Sequence, residues 1–229
     1  GSKSTAIGRA ALNQQNFTTA TDSYNTAVGF GAGQQVTTGT DNTLIGGLTG
    51  DALTVGNNNV ALGRSTLTSD TKGDRAVAIG NYALNAQNFT TSTDNYNVAV
   101  GYSAGEATTT ATQNVMLGGR AGLALTTGSQ NVAVGYLSLS SETTSANNVA
   151  IGREALKTQD GAASNTAVGR TAGALVTTGS SNNFFGKDAG DIVTTGARNI
   201  CIGENVNPSA NNSTNQITLG HDINGDSNG

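Results

Sequence analysis

A glycine returns along this chain at a fixed interval, and no other feature restricts the possible folds so strongly. Gly8, Gly29, Gly46, Gly63, Gly80, Gly101, Gly118, Gly135, Gly152, Gly169, Gly186, Gly203 and Gly220 follow one another at steps of 21, 17, 17, 17, 21 and then seven of 17. Twelve intervals run without a slip, which a low-complexity tract has no reason to do. The residue before each anchor is always apolar, from Ile7 to Leu219. Two before it Ala dominates, with Leu44, Met116, Phe184 and Cys201 as substitutes. Three before it sits a β-branched residue in nearly every copy, and four before it comes Asn, as at Asn25, Asn59, Asn131 and Asn199. The resulting Asn-Val-Ala-Val-Gly reads as a short β-strand opened by a turn-favouring Asn and closed by Gly.

The second half of each unit is looser. A small residue follows three after the anchor, Gly or Leu four after, and often an apolar residue seven after (Val36, Leu53, Leu125, Val176, Val193). Thr-Thr-Gly then closes the unit, as at Thr126-Thr127-Gly128. A strand, a tight turn and a weaker second strand make one rung of a solenoid, which buries itself only by stacking on its neighbours. The expected fold is all-β: a β-solenoid or parallel β-roll of 17-residue coils. It runs as a single domain of about twelve coils over residues 5–220, with residues 1–4 as tag or linker and 221–229 as a tail. At a strand spacing of ~4.8 Å, this makes a rod roughly 60 Å long.

Composition matters here because it would otherwise argue for disorder. The chain of 229 residues holds 32 Gly, no Trp and 11% charged residues, under half the usual quarter. A single Cys forbids an internal disulfide or a Cys-based metal cage, and a single His, His221, rules out a multi-histidine zinc site. A formal charge of −4 gives no electrostatic footprint for nucleic acid. No apolar run is long enough to span a bilayer, so no membrane insertion is expected. Gly1-Ser2 reads as an expression scar.

The strand predicts association. If Val and Ile fill the interior, the intervening Ala faces outward, where a polar residue would be normal. The column Ala27, Ala61, Ala99, Ala133, Ala150 and Ala167 then becomes the candidate interface between chains. The bland alternative is a monomer with a plain Ala wall.

Asn-Val-Ala-Val-Gly (Asn97 to Gly101, Asn131 to Gly135) and Asn-Val-Ala-Ile-Gly (Asn148 to Gly152) resemble the head repeats of trimeric autotransporter adhesins. That resemblance implies a parallel β-roll in a homotrimer. The longer form Asn-Thr-Ala-Val-Gly-x-x-Ala-Gly, at Asn25 to Gly33 and Asn165 to Gly173, is similar to phage tail-fibre repeats, as is the ending Asn215-Gln216-Ile217-Thr218-Leu219-Gly220. In such fibres these repeats precede an intramolecular chaperone domain, absent here as expected of a cleaved or excised fragment. The adhesin repeat is shorter than the one in this chain, so handedness does not transfer.

Two 21-residue coils, 8–29 and 80–101, carry the candidate binding loops. Asn16 to Tyr24 and Asn88 to Tyr96 are near copies, matched position by position. Phe17, Asp22 and Tyr24 in one, and Phe89, Asp94 and Tyr96 in the other, could stack on a sugar ring and hydrogen-bond its hydroxyls. Alternatively, the aromatics staple a longer turn to the next rung. The row after the anchor (Arg9, Arg64, Tyr102, Tyr136, Arg153, Arg170, Lys187, His221) reads as a receptor stripe or as a solvated edge whose cations meet carboxylates such as Glu154 or Asp188 of sister chains. A Thr column (Thr37, Thr54, Thr71, Thr109, Thr126, Thr143, Thr177, Thr194) raises ice binding as an alternative.

No catalytic, metal or cofactor constellation is present: there is no Gly-x-Ser-x-Gly elbow, no paired carboxylates in a groove and no base within the repeats. The expectation is a non-enzymatic structural and host-recognition segment of a virion tail fibre or extracellular bacterial surface adhesin. Its partners would be its own copies and a host cell-surface glycan or protein; the alternative is a passive spacer with recognition elsewhere.

Overall fold

The computed structural model describes residues 3–225, among which there is no helix. Gly1-Ser2 and the last four residues of the expected tail lie outside the described residues. The chain forms two compact units, Gly1–Gln113 and Asn114–Gly229. In the first, the strands Thr5–Ile7, Thr26–Val28, Thr43–Ile45, Val60–Leu62, Val77–Ile79 and Val98–Val100 pair in parallel. In the second, the ladder is Val115–Leu117, Val132–Val134, Val149–Ile151, Thr166–Val168, Asn183–Phe185, Ile200–Ile202 and Ile217–Leu219. Pairing is in register, so Ala27 stands beside Leu44 and Ala167 beside Phe184. The chain is thus a parallel β-solenoid of 17-residue coils with two longer ones among them.

The anchors set this spacing. Gly29 and Gly169 have φ of 137° and 144°, and a Cβ on either would stand inside the carbonyl of the anchor one coil on. Only glycine permits that approach. The expected weaker second strand is not found among the described residues. After the anchor come turns, with left-handed residues two and four positions on, such as Leu48 at 56° and Leu84 at 48°. Corners that close together leave no room for an extended run. The exception is a short pairing of Gly73–Asp74 with Thr93–Asp94 beside the long coil.

The orientation of the strand is the reverse of the expectation. Ala27, Ala61, Ala99, Ala133, Ala150 and Ala167 are buried inside the coil, at 0 or 1% exposure, and the flanking residues point outward. These alanines are therefore unavailable as an interface between chains. Alternation defines two faces without saying which is inside; here the interior opposite the strand is narrow and holds the residues four after the anchor. Where those are Leu12, Leu67, Leu84, Leu139 and Leu156, the strand centres of their own coils are Ala. Where they are Gly, a large residue reaches in: Leu44 lies where a Cβ on Gly33 (2.8 Å) or Gly50 (2.9 Å) would need to be. Met116 fills the space beside Gly122, and Phe184 that beside Gly173 and Gly190. The core thus alternates volume across coils at close packing.

Asn four before the anchor is buried and joins coil to coil. Asn25 Nδ2 donates to the Gly39 carbonyl (2.7 Å), and its Oδ1 accepts from the backbone N–H of Asn42 (2.9 Å). The same pair of bonds recurs at Asn42, Asn59, Asn131, Asn148, Asn165, Asn182 and Asn199. Ala76 interrupts the column, and the long coil replaces the missing rung itself: Asn95 Oδ1 accepts from the Asn97 N–H (2.9 Å).

Candidate functional site

Because Ala points inward, the outward face of the strands carries the larger residues. One column runs Thr26, Thr43, Val60, Val77, Val98 in the first unit and Val115, Val132, Val149, Thr166, Asn183, Ile200 in the second. The other runs Val28, Ile45, Leu62, Ile79, Val100, and Leu117, Val134, Ile151, Val168, Phe185, Ile202. All are half-buried or exposed, with Leu62 and Ile202 at 45%. Among the described residues, neither column contains a charge.

The corner that opens the strand, five before the anchor, is left-handed in every 17-residue coil and filled by Asp41, Asn58, Arg75, Gln113 or similar polar residues. Only the two long coils place an aromatic there: Tyr24 (φ 48°) and Tyr96 (φ 52°). A bulky side chain is unusual in that conformation. Each ring is backed by a cation from the preceding coil. Lys3 Nζ lies 5.2 Å from the Tyr24 centroid and Arg75 Cζ 5.9 Å from that of Tyr96. Lys3 also pairs with Asp22 at 2.7 Å, and Arg75 pairs with Asp94. The Tyr96 hydroxyl donates to Asp94 Oδ2 (3.3 Å), and that of Tyr24 approaches Asp22 Oδ2 at 3.5 Å. Hydrogen bonds to Asp22 and Tyr24 raise the Lys3 pKa. The structure thus brings together Asp22 with Tyr24, and Asp94 with Tyr96. Phe17 is half-buried and Phe89 is buried at 6% exposure, so Phe89 anchors the loop from below.

Beneath the second loop lies a buried clamp. Asp70 Oδ1 accepts from the backbone N–H groups of Gly73 (2.9 Å), Phe89 (3.2 Å) and Lys72 (3.3 Å), and Oδ2 from Gln87 Nε2 (2.7 Å). Gln87 Oε1 in turn accepts from Asn97 Nδ2 (3.0 Å), tying the two ends of the loop together. Burial pushes the Asp70 carboxyl upward in pKa, against the hydrogen bonds that hold it down. The second unit repeats the device. Glu142 Oε1 accepts from the N–H groups of Ser145 (2.7 Å), Thr144 (3.0 Å) and Gly161 (3.4 Å), and Oε2 from Gln159 Nε2 (3.1 Å). Asn165 Nδ2 closes onto Gln159 Oε1 (2.8 Å). The clamped loop is residues 88–96 in one case and 160–164 in the other.

Lys3, Arg75 and both acid–glutamine pairs escape a reading of the sequence coil by coil. The available signal is a longer period: Gln15, Gln87 and Gln159 are evenly spaced, and Asp70 and Glu142 repeat at the same interval.

The row after the anchor is exposed, and its charges find partners within the chain. Arg153 pairs with Glu154 (2.8 Å), Lys187 with Glu204 (2.6 Å), and Arg170 approaches Asp188 (3.7 Å). Arg9 lies over Phe30, and Arg64 over Tyr82, which meets Tyr102 edge-on at 6.0 Å. Five hydroxyls of the Thr column are committed to the next coil: Thr54 Oγ1 donates to the Thr71 carbonyl (2.8 Å), Thr126 to that of Thr143 (2.9 Å), and Thr37, Thr177 and Thr194 each donate to the carbonyl one coil on. Cys201 is buried between Phe184 and Thr218 in the ladder, which pushes its thiol up to about 12. Among the described residues no cluster of three or more His, Cys, Asp or Glu side chains could hold a metal, and no helix is long and apolar enough to cross a membrane. No family model, curated relative or solved structure matches the chain.

Proposed function

We propose that this chain is a non-enzymatic fibre segment that associates with further copies of itself through the outward face of its strands, and that it belongs to a phage tail fibre or a bacterial surface adhesin. The observation that carries the self-association is the pair of charge-free columns, β-branched or aliphatic at every position except Asn183 and Phe185. Monomeric proteins rarely leave so continuous an apolar surface in water. The columns repeat at the strand spacing of ~4.8 Å, and a second copy presents the same repeat. The homotrimer and the host-surface partner rest on the likeness of the Asn-Val-Ala-Val-Gly repeats to adhesin and tail-fibre repeats.

The mass in solution tests this reading. Light scattering should give three times the chain's 22.8 kDa. Changing Val134 and Ile151 to Glu should dissociate the assembly while leaving the coil folded, since both side chains point outward. A parent chain that elutes with the mass of one copy sinks the proposal.

A further inference from the structure

The two tyrosine clusters of the first unit are unexplained by self-association. We infer that Tyr24 and Tyr96, with Asp22, Asp94 and the hydroxyl-bearing loops around them, form two equivalent subsites for one neutral polysaccharide chain lying along the solenoid. The inference deepens the recognition part of the function proposed above and does not need the self-association.

Four observations carry it. First, tyrosine occupies the left-handed corner only in the two long coils, where every other coil has a polar residue suited to it. Each ring nevertheless stays about half exposed, at 53% for Tyr24 and 50% for Tyr96. The strained corner therefore presents the Tyr96 ring to solvent, while Phe89 of the same loop is packed beneath. Second, each ring is fixed from beneath by a cation and by a carboxylate close to its hydroxyl, which removes rotamer freedom before any ligand arrives. Third, the surrounding chemistry is that of a sugar-binding surface. A flat ring offers a stacking platform, each carboxylate has two oxygens able to accept from several donors, and Thr91, Ser92 and Thr93 precede the second ring in the same loop. Lys3 with Asp22, and Arg75 with Asp94, cancel in charge, which suits a neutral chain better than a polyanion. Fourth, the subsites repeat. They lie four coils apart in one unit, about 19 Å at the strand spacing. A repeating ligand can engage both at once, and the second contact is then intramolecular.

The purified full chain is screened on an array of immobilised neutral polysaccharides, and the retained one is titrated by interferometry. Tyr96→Ala should weaken binding at least tenfold, Tyr24→Ala similarly, and the double variant should abolish it. Tyr136→Ala, at an exposed tyrosine of the second unit, should bind as the parent does. Oligosaccharides too short to span about 19 Å should compete at least tenfold less well than the polymer. A chain that ignores every polysaccharide on the array overturns the inference, as does a folded double variant that binds like the parent. A one-copy mass in solution leaves this result untouched and bears only on self-association.

Discussion

The two units build the same coil and finish its edges differently. In the first, every cation over an aromatic ring sits beside a long coil: Lys3 on Tyr24, Arg9 on Phe30, Arg64 on Tyr82, Arg75 on Tyr96. In the second, which has no long coil, the corresponding edge is a run of exposed ion pairs through Arg153, Arg170 and Lys187. Exposed ion pairs add little stability. The contrast teaches that the interior fixes the coil and leaves the outside free, so one unit can present aromatic surface while the other presents solvated charge. The acid–glutamine clamp makes the freedom explicit, because the same contacts close a loop of residues 88–96 in one unit and 160–164 in the other.

The deepest test of the comparison lies in the core, where the units should behave alike. Phe184→Ala removes the largest buried side chain of the second unit and leaves Gly173 and Gly190 facing a void. It should cost about 3–5 kcal/mol in urea unfolding, with Leu44→Ala in the first unit costing about 2–5 kcal/mol. A loss near zero at either site would mean that the volumes do not interlock as described.

A second test probes the clamp of the first unit by pH. Burial raises the Asp70 pKa, so the folded chain holds that proton to higher pH than the unfolded chain does. Its contribution to stability therefore falls as pH climbs from the ordinary aspartate range, ~3.9, through the raised value. Asp70→Asn should flatten that part of the stability–pH curve followed by urea titration; an unchanged slope would assign the dependence elsewhere.

The smallest effect is expected from exchanging the loops. Replacing residues 88–96 with the sequence of 160–164 should let Gln87 and Asn97 close as Gln159 and Asn165 do. Beyond the loss of the buried Phe89 and of the Asn95 acceptor, measured separately as Phe89→Ala and Asn95→Ala, the change in stability should stay under about 1 kcal/mol, because loop-closure entropy varies slowly with length. Collapse of the fold would show that the loop, and not the clamp, holds the coil.

Much of the fold is legible in the sequence because its cause is local. A Cβ at the anchor meets a carbonyl, so the glycine period survives every other change. The direction of Ala27 and its equivalents is not legible, because period-two alternation is symmetric between inside and outside. The answer resides in residues of other coils: Gly33 and Gly50 make sense only against Leu44. The candidate loops divide for the same reason. Phe17 and Phe89 look like Tyr24 and Tyr96 in one dimension, yet Phe89 is buried and Tyr96 is exposed. The cations that back the tyrosines stand a full long coil away in sequence, a separation that gains meaning once the coil length is known.

The asparagine column has a mechanical consequence. Each Oδ1 is satisfied by the backbone of the coil that follows, so within a unit a coil is completed by its successor. Load applied at the carboxyl end of a unit would strip backbone donors one rung at a time, each loss exposing the Oδ1 of the asparagine before it. Such a unit would yield under force as a staircase of small steps, dissipating work that a single cooperative rupture would transmit to whatever it is tethered to.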